Sequence, residues 1–494
     1  MVKSVIGDET QLNLAENRLS NSGLISQVGL VIGKLSSALD RGFVYDLVPT
    51  PSNDAGQPAC SLVDTFKDDK KKGSSSAKSK SQIADSSTLT IDNEWVAEHA
   101  RQVSRMLLGG MKVIGIYVWV GDASFKNSTI TLCQLLQTVK GVADAAPVSE
   151  TDWDERLLIH ISLSPRRWTC RKCMLSSNIT SSNIRPCDFK MGRVLSSLQT
   201  FRCTYNFELS LPIYQENASN ASTLSAILLD GISAHIEVLR GAKALIDGIL
   251  VVNEEPFVAE GVHEVEMLLP FMKNTLSEAC SQKEVVGVLM LSGSVCSFAY
   301  LNSKEPVSQA VVDIKDDIIR SLQSRLDIIC DEADEDPSPI DDHNEKANKE
   351  KTSEQPVSRL VVRLLRKPCS LVFPRRVFIP WLAGTFVCDY LQPSETLEVL
   401  KDHCVELMSM EAPTDSSTIL QPEVEARPFI AKTFWDVADP GQFTSTSSLE
   451  ESRKIDTSGV AGNNASPKAL NFSILAAVFF LLFSILVGFV LVRQ

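Results

Sequence analysis

The chain has 494 residues, 44% of them hydrophobic and 22% charged, which is ordinary usage for a folded body large enough for two or three domains. A net charge of −13 argues against a nucleic-acid binder, whose surface is normally basic. Twelve cysteines, spread from Cys60 to Cys404 in a long chain without a secretory signal, point to free thiols and not to a disulfide framework.

The opening residues carry no long apolar core and no small-residue cleavage site, so no leader is expected. Short β-branched runs at 28–32 and 43–48, joined through Gly33 and Gly42, read as a hairpin. A Lys/Ser-rich insertion follows, in which Lys70, Lys71 and Lys72 are interleaved with Asp68, Asp69 and serines, the composition of a solvated loop. Asp92 then caps a helix over 93–108, with Val96, Ala100, Val103, Met106 and Leu107 at helical spacing and Gly109-Gly110 ending it. Residues 112–120 (KVIGIYVWV) are continuously apolar after the first, a buried strand; a helix over 130–139 and a strand over 157–163 complete the unit.

The second half reads as another α/β unit. Expected there are an amphipathic helix over 224–239, a buried strand over 244–252, a hairpin of 284–291 with 295–301 around Ser292-Gly293, and a helix over 311–329. In that last helix Val311, Ile314, Ile318, Leu322, Leu326 and Ile329 recur at three- and four-residue steps. An acidic insertion at 331–356 precedes strands over 359–373 and a helix-like stretch over 394–410. Residues 412–468 form a polar stalk with a docked segment at 429–437, and the charge-free run opened by Leu470 and closed by Val492 is long enough to cross a bilayer as one transmembrane helix. The fold class is therefore mixed α/β in two domains, 1–215 with an insertion at 64–91 and 216–411, then stalk and a membrane helix at 469–492.

Chemistry-bearing residues are few. Cys170 and Cys173, with Cys187 and Cys203 downstream, lack the second close pair that a zinc ribbon needs. Cys404 neighbours His403, but adjacent helical residues diverge by about 100° and no orienting carboxylate is evident. His99 and His235 read as satisfied or exposed helical histidines, and neither Gly109-Gly110 nor Gly231 begins a phosphate-binding loop. Arg375 and Arg376 precede an apolar run, placed either to fork onto a carboxylate or to snorkel at the surface.

The hairpin–helix–strand–helix–strand order, with "VGLVIG" and "VIGIYVWV", resembles the MPN (JAB) domain. That resemblance implies a zinc isopeptidase scaffold, with two histidines on the strand and a glutamate on the hairpin. Val118 and Val120 stand at the histidine positions and Ser26 near the glutamate position, and alkyl groups cannot coordinate zinc, so the unit reads as a dead scaffold without cofactor or catalytic residue.

Across nearly the whole chain, "EWVAEHARQVSRMLLGGMKVIGIYV", "RRWTCR", "VVDIKDDIIRSLQSRLDI", "PRRVFIP" and "CDYLQPSET", in that order, are similar to the odorant-response-abnormal protein 4 family. The resemblance implies a tail-anchored adaptor in the endoplasmic-reticulum membrane, single-pass with its body facing the cytosol. It would assist folding and export of multi-pass receptors and hold a ubiquitin-fold-modifier-specific cysteine protease there as a heterodimer through MPN-like domains. The alternatives are a membrane-anchored MPN-type isopeptidase with a non-standard site and a general trafficking tether; a SNARE-like fusion protein is excluded because Pro467 and the Ser/Gly/Asn-rich stalk interrupt any heptads. On this reading the helix at 93–108 lies outside the sheet, and Trp95, His99 and Arg105, with Arg375 and Arg376, are the expected partner contacts. Asn-x-Ser/Thr at Asn127, Asn178, Asn217, Asn220, Asn464 and Asn471 would be chance matches in a cytosolic body.

Overall fold

The computed structural model describes residues 2–64, 87–143, 155–175, 183–214, 224–252, 261–270, 285–335, 371–393 and 395–433. The insertion around Lys70, most of the acidic insertion, the predicted strand residues 359–370, Phe434 and Trp435, and the apolar run from Leu470 to Val492 lie outside that set. No helix among the described residues is long and apolar enough to cross a membrane.

The first lobe is a closed seven-stranded barrel. Its strands are β1 (Ser4–Asp8), β2 (Gln27–Ser36) and β3 (Arg41–Pro49), then, after the separate hairpin β4 (Cys60–Asp64) and β5 (Ser87–Ile91), β6 (Lys112–Val120), β7 (Glu155–Ser162), β8 (Arg167–Met174) and β9 (Ile184–Gly192). They run in the order β1-β3-β2-β6-β7-β8-β9, and β1 pairs in parallel with both β3 and β9 to close the ring. Strand alternation divides the apolar residues between two clusters. Val31, Val44, Ile114, Tyr117 and Trp119 share one with α1 (Glu9–Asn21), whereas Leu30, Ile32, Ile116, Val118 and Val120 share the other with α2 (Asn93–Met106) and α4 (Thr129–Ala143), which follows the short α3 (Asp122–Asn127). Neither β1 nor α1 was read from the sequence. Asp8 ties them down: its carboxylate accepts the Gln11 amide at 3.3 Å and the Val194 and Leu195 amides at 3.1 Å each.

The second sheet starts earlier than the expected boundary at 215. The strand β10 (Leu198–Tyr214), with Phe201, Cys203, Tyr205 and Phe207 buried at every second position, pairs with the 18-residue β14 (Val285–Asn302) and with β13 (Val262–Leu268). The remaining strands are β11 (Lys243–Ile246), β12 (Ile249–Leu250) and β17 (Ile430–Thr433), in the order β12-β11-β13-β10-β14-β17. Two sequence expectations fail here. The stretch 244–252 is not one strand, because Asp247 and Gly248 take φ of 49° and 79° and turn it into a hairpin, the Asp-Gly signature of a type I′ turn. Conversely, Ser292-Gly293 is no turn: β14 runs straight through it, and Gly293 serves the Phe207 ring opposite, which a Cβ would meet at 2.9 Å.

Helices α5 (Leu224–Arg240) and α6 (Val307–Glu335) pack on this sheet, and α6 buries the predicted stripe of Ile314, Ile318, Leu322, Leu326 and Ile329. The hairpin β15 (Arg375–Pro380) and β16 (Phe386–Leu391), followed by α7 (Leu397–Met408), packs on the first lobe's cluster beside Phe298 and Tyr300 of β14. The two sheets therefore share core instead of forming separate domains, and residues 1–440 are one compact unit. Gly109 and Gly110, both at positive φ, let the lobes touch: Tyr300 N donates to Gly109 O at 3.2 Å, and a Cβ on Gly110 would strike the Asp313 carboxylate. The polar stretch beyond 411 also returns to the fold, since Glu423 and Phe429 are buried and β17 adds an edge to the second sheet.

Candidate functional site

Around the positions where the MPN pattern puts zinc, the side chains are apolar or already engaged. Val118 and Val120 are 0% exposed within the cluster beneath α2 and α4. Gln27 lies opposite Trp119 and Val28 opposite Val118, so the preceding Ser26 stands at the end of the same ladder, near the Cys60 thiol, whose pKa burial pushes up to about 11 against the influence of the Ser26 side chain. The nearest polar group on β7 is His160, opposite Val118; its Nε2 donates to Val120 O at 3.0 Å, its ring stacks on Phe125 at 4.0 Å, and burial depresses its pKa. Among the described residues no three of His, Cys, Asp or Glu converge on a metal-sized centre. Cys170 and Cys173 are separated by an odd step on β8, so they face opposite clusters and cannot share one ion.

A cleft of about 500 Å³ opens between α2, α6, β16 and α7, within the usual size range of a ligand or side-chain pocket. Trp95 and Arg105 form its α2 wall, and Asp389, Glu395, His403 and Glu406 form the opposite wall. The helix that was expected to be free for a partner is thus covered along much of its length by the chain's own C-terminal segments. Trp95 is half-buried with Nε1 donating to Pro51 O at 3.0 Å, and Arg105 reaches Asp327 of α6 at 3.1 Å. His99 is 3% exposed and linked to Thr50 Oγ1 at 3.2 Å and Leu407 O at 2.8 Å. Burial, partly opposed by the Leu407 carbonyl, holds the His99 pKa below the usual imidazole value. What remains open to a visitor is the rim, where Glu406 is exposed and Gln102 is half-buried.

The carboxylate that sequence reading missed for His403 is Asp389. Its Oδ2 lies 2.7 Å from His403 Nδ1, and that hydrogen bond, against some burial, raises the His403 pKa. The pair builds no Cys–His dyad, because Cys404 is 0% exposed in the apolar cluster while His403 is 43% exposed. Fourteen residues and a strand-to-helix turn separate Asp389 from His403, so no local pattern announces them.

Arg376 is a core residue, 1% exposed, and forks onto the equally buried Asp317 of α6 at 2.8 and 2.9 Å. Next to it Arg325 forks onto Glu423 at 2.7 Å to each oxygen, and the Arg376 amide donates to Glu423 at 2.8 Å. Lys34 of β2 reaches Asp313 at 2.5 Å and Glu305 at 3.3 Å. Together these pairs stitch β2, α6, β15 and the returning tail. Arg375, one step along the strand, faces outward to Gln421 at 3.3 Å.

A family model described as Odorant response abnormal 4-like (ODR4-like) matches residues 29–419, which take in the cleft, the Arg376–Asp317 pair and both sheets apart from β1 and β17. The chain belongs to the ODR4-like family. Relatives carrying the name Protein odr-4 homolog include the mouse protein, 26% identical over 342 residues, covering 65% of this chain and 69% of that one. The Dictyostelium discoideum homolog is 23% identical over 425 residues, covering 84% of this chain and 82% of its own. A crystal structure of UfSP from C. elegans overlaps 83% of this chain and 57% of that one at TM-score 0.36 and 8% identity, a likeness too loose to carry an argument. For this ODR4-like chain the mixed α/β architecture stands as expected.

Proposed function

We propose that this ODR4-like protein is a non-catalytic adaptor, tethered to the endoplasmic-reticulum membrane by residues 470–492 with its body on the cytosolic side. It assists folding and export of multi-pass membrane receptors and holds a ubiquitin-fold-modifier-specific cysteine protease at that membrane. The observation that carries the non-catalytic part is the state of the MPN-like centre: Val118 and Val120 are fully buried alkyl groups and Ser26 brings a hydroxyl where a glutamate would stand, so the barrel offers packing where an isopeptidase needs metal ligands. The same burial disfavours an isopeptidase with a non-standard site.

An adaptor needs a surface, and the cleft between α2 and α7 supports one better than the bare face of α2, whose His99 and Arg105 serve contacts within the chain. The test is affinity purification of the full chain from detergent-solubilised membranes. Co-elution of the modifier protease is expected, with loss on Gln102→Arg/Glu406→Arg, which alters the cleft rim and leaves the Arg105–Asp327 pair in place. Absence of the protease from the wild-type eluate would overturn the partner; unchanged co-elution of the rim variant would move the contact elsewhere. Protease added outside intact microsomes should digest the body, and a glycan on Asn127 or Asn217 would reverse the orientation.

A further inference from the structure

We propose that Cys170 and Cys187 form a modification site, a dithiol that a hydroperoxide converts into a disulfide bridging β8 and β9. The two residues are directly opposite each other in the antiparallel ladder. Opposite Cα atoms in such a ladder are about 4.5–5.5 Å apart in either type of pair, inside the roughly 4.4–6.8 Å window that a disulfide spans, so the bridge needs no movement of the strands. Both thiols are free, and each is the strongest polar influence on the other.

The pair is asymmetric in the way a reacting pair requires. Cys187 is half-buried at the rim, with Sγ 3.7 Å from Lys3 O, whereas Cys170 is 4% exposed. The facing Cys170 thiol, helped by Lys172 and opposed by burial, lowers the Cys187 pKa, while the same contact and burial raise that of Cys170. The thiolate of Cys187 attacks one peroxide oxygen, the O–O bond breaks, and the departing hydroxide takes up a proton to leave as water. Cys187 is then a sulfenic acid. The Cys170 sulfur attacks it, the S–O bond breaks, and the hydroxyl leaves with the Cys170 proton as a second water, so that one peroxide is reduced and two thiols are oxidised.

A second thiol pair, between β8 and α4, supplies the internal comparison. Cys173 faces the other cluster and its Sγ lies 3.9 Å from that of Cys133, but both are fully buried. Both pairs bring two thiols together; access selects Cys170–Cys187. The bridge clamps β8 to β9 beside the β9–β1 seam that closes the barrel.

The test treats the reduced full chain with hydrogen peroxide, followed by alkylation and a non-reducing peptide map. A dithiothreitol-reversible link between the Cys170 and Cys187 peptides is expected, with Cys187 losing reactivity toward iodoacetamide at least about tenfold faster than Cys133. In Cys170→Ala the Cys187 sulfenic acid should persist and be captured by dimedone. Full alkylation of both thiols after peroxide, irreversible oxidation of Cys187 without a link, or a link found only between two molecules would each overturn the proposal; the wild-type map decides it even if the variant fails to fold.

Discussion

Removal of the Arg376 guanidinium should be among the most damaging single changes in the molecule. Arg376→Met keeps an unbranched apolar side chain but takes away both bonds of the fork, the bond to Cys296 O at 3.3 Å and the guanidinium's contacts with the Phe378 and Tyr390 rings. Asp317 is then left at 1% exposure with its Ser297 hydroxyl contact at 2.7 Å. Breaking a buried pair from one side costs about 3–5 kcal/mol, because the orphaned charge keeps its desolvation penalty and loses its compensation. The double variant Arg376→Met/Asp317→Leu removes both charges and should recover at least ~2 kcal/mol relative to the sum of the two single changes. Urea unfolding of the purified chain, followed by tryptophan fluorescence and circular dichroism with coincident transitions, reads this directly. A loss below ~1 kcal/mol for Arg376→Met, or additivity in the double variant, would refute the view that the seam depends on mutual compensation.

The two cleft histidines should give opposite pH slopes. His403 has a raised pKa, so its contribution is complete below the unfolded value near 6.5 and fades as pH rises through the folded value. Because it is partly exposed, the difference between wild type and His403→Gln should shrink by only ~0.5 kcal/mol between pH 6 and pH 8. His99 has a depressed pKa, and its contribution should be lost as pH falls below the unfolded value near 6.5; a His99→Gln variant whose deficit grows on acidification would contradict this. Gly115→Ala drives a Cβ into Leu157 O and should cost about 1–3 kcal/mol or abolish folding, whereas Gly121→Ala meets nothing within 4 Å and should be neutral within ~0.5 kcal/mol in the same urea titration. Metal analysis of the purified chain should find no stoichiometric zinc; zinc that persists in Cys170→Ser/Cys173→Ser, with a hydrolytic activity abolished by chelation, would show that Val118 and Val120 do not mark the site.

Local chemistry was legible in the residues themselves. Asp92 accepts the Trp95 amide at 3.1 Å and starts α2, which stops at Met106 with Leu107 already extended and so short of the Gly109-Gly110 expected to end it, and the three- and four-residue steps of α6 bury the stripe they mark. The alternation of Phe201, Cys203, Tyr205 and Phe207 and the Asp247-Gly248 turn were equally present in the sequence, and a closer reading of period and turn type would have found both. Such features rest on hydrogen bonds and periodicities among neighbouring residues, which the chain carries wherever it goes. The pairing of Arg376 with Asp317, Lys34 with Asp313 and His403 with Asp389 is of another kind. For Arg376 the sequence left open a carboxylate fork or a surface position, and the other residues alone read as surface groups, because nothing near them in the chain says whether water will be replaced by a partner. That is decided when α6, β15 and α7 close over the barrel, and the same closure turned α2 from an expected outer face into a cleft wall.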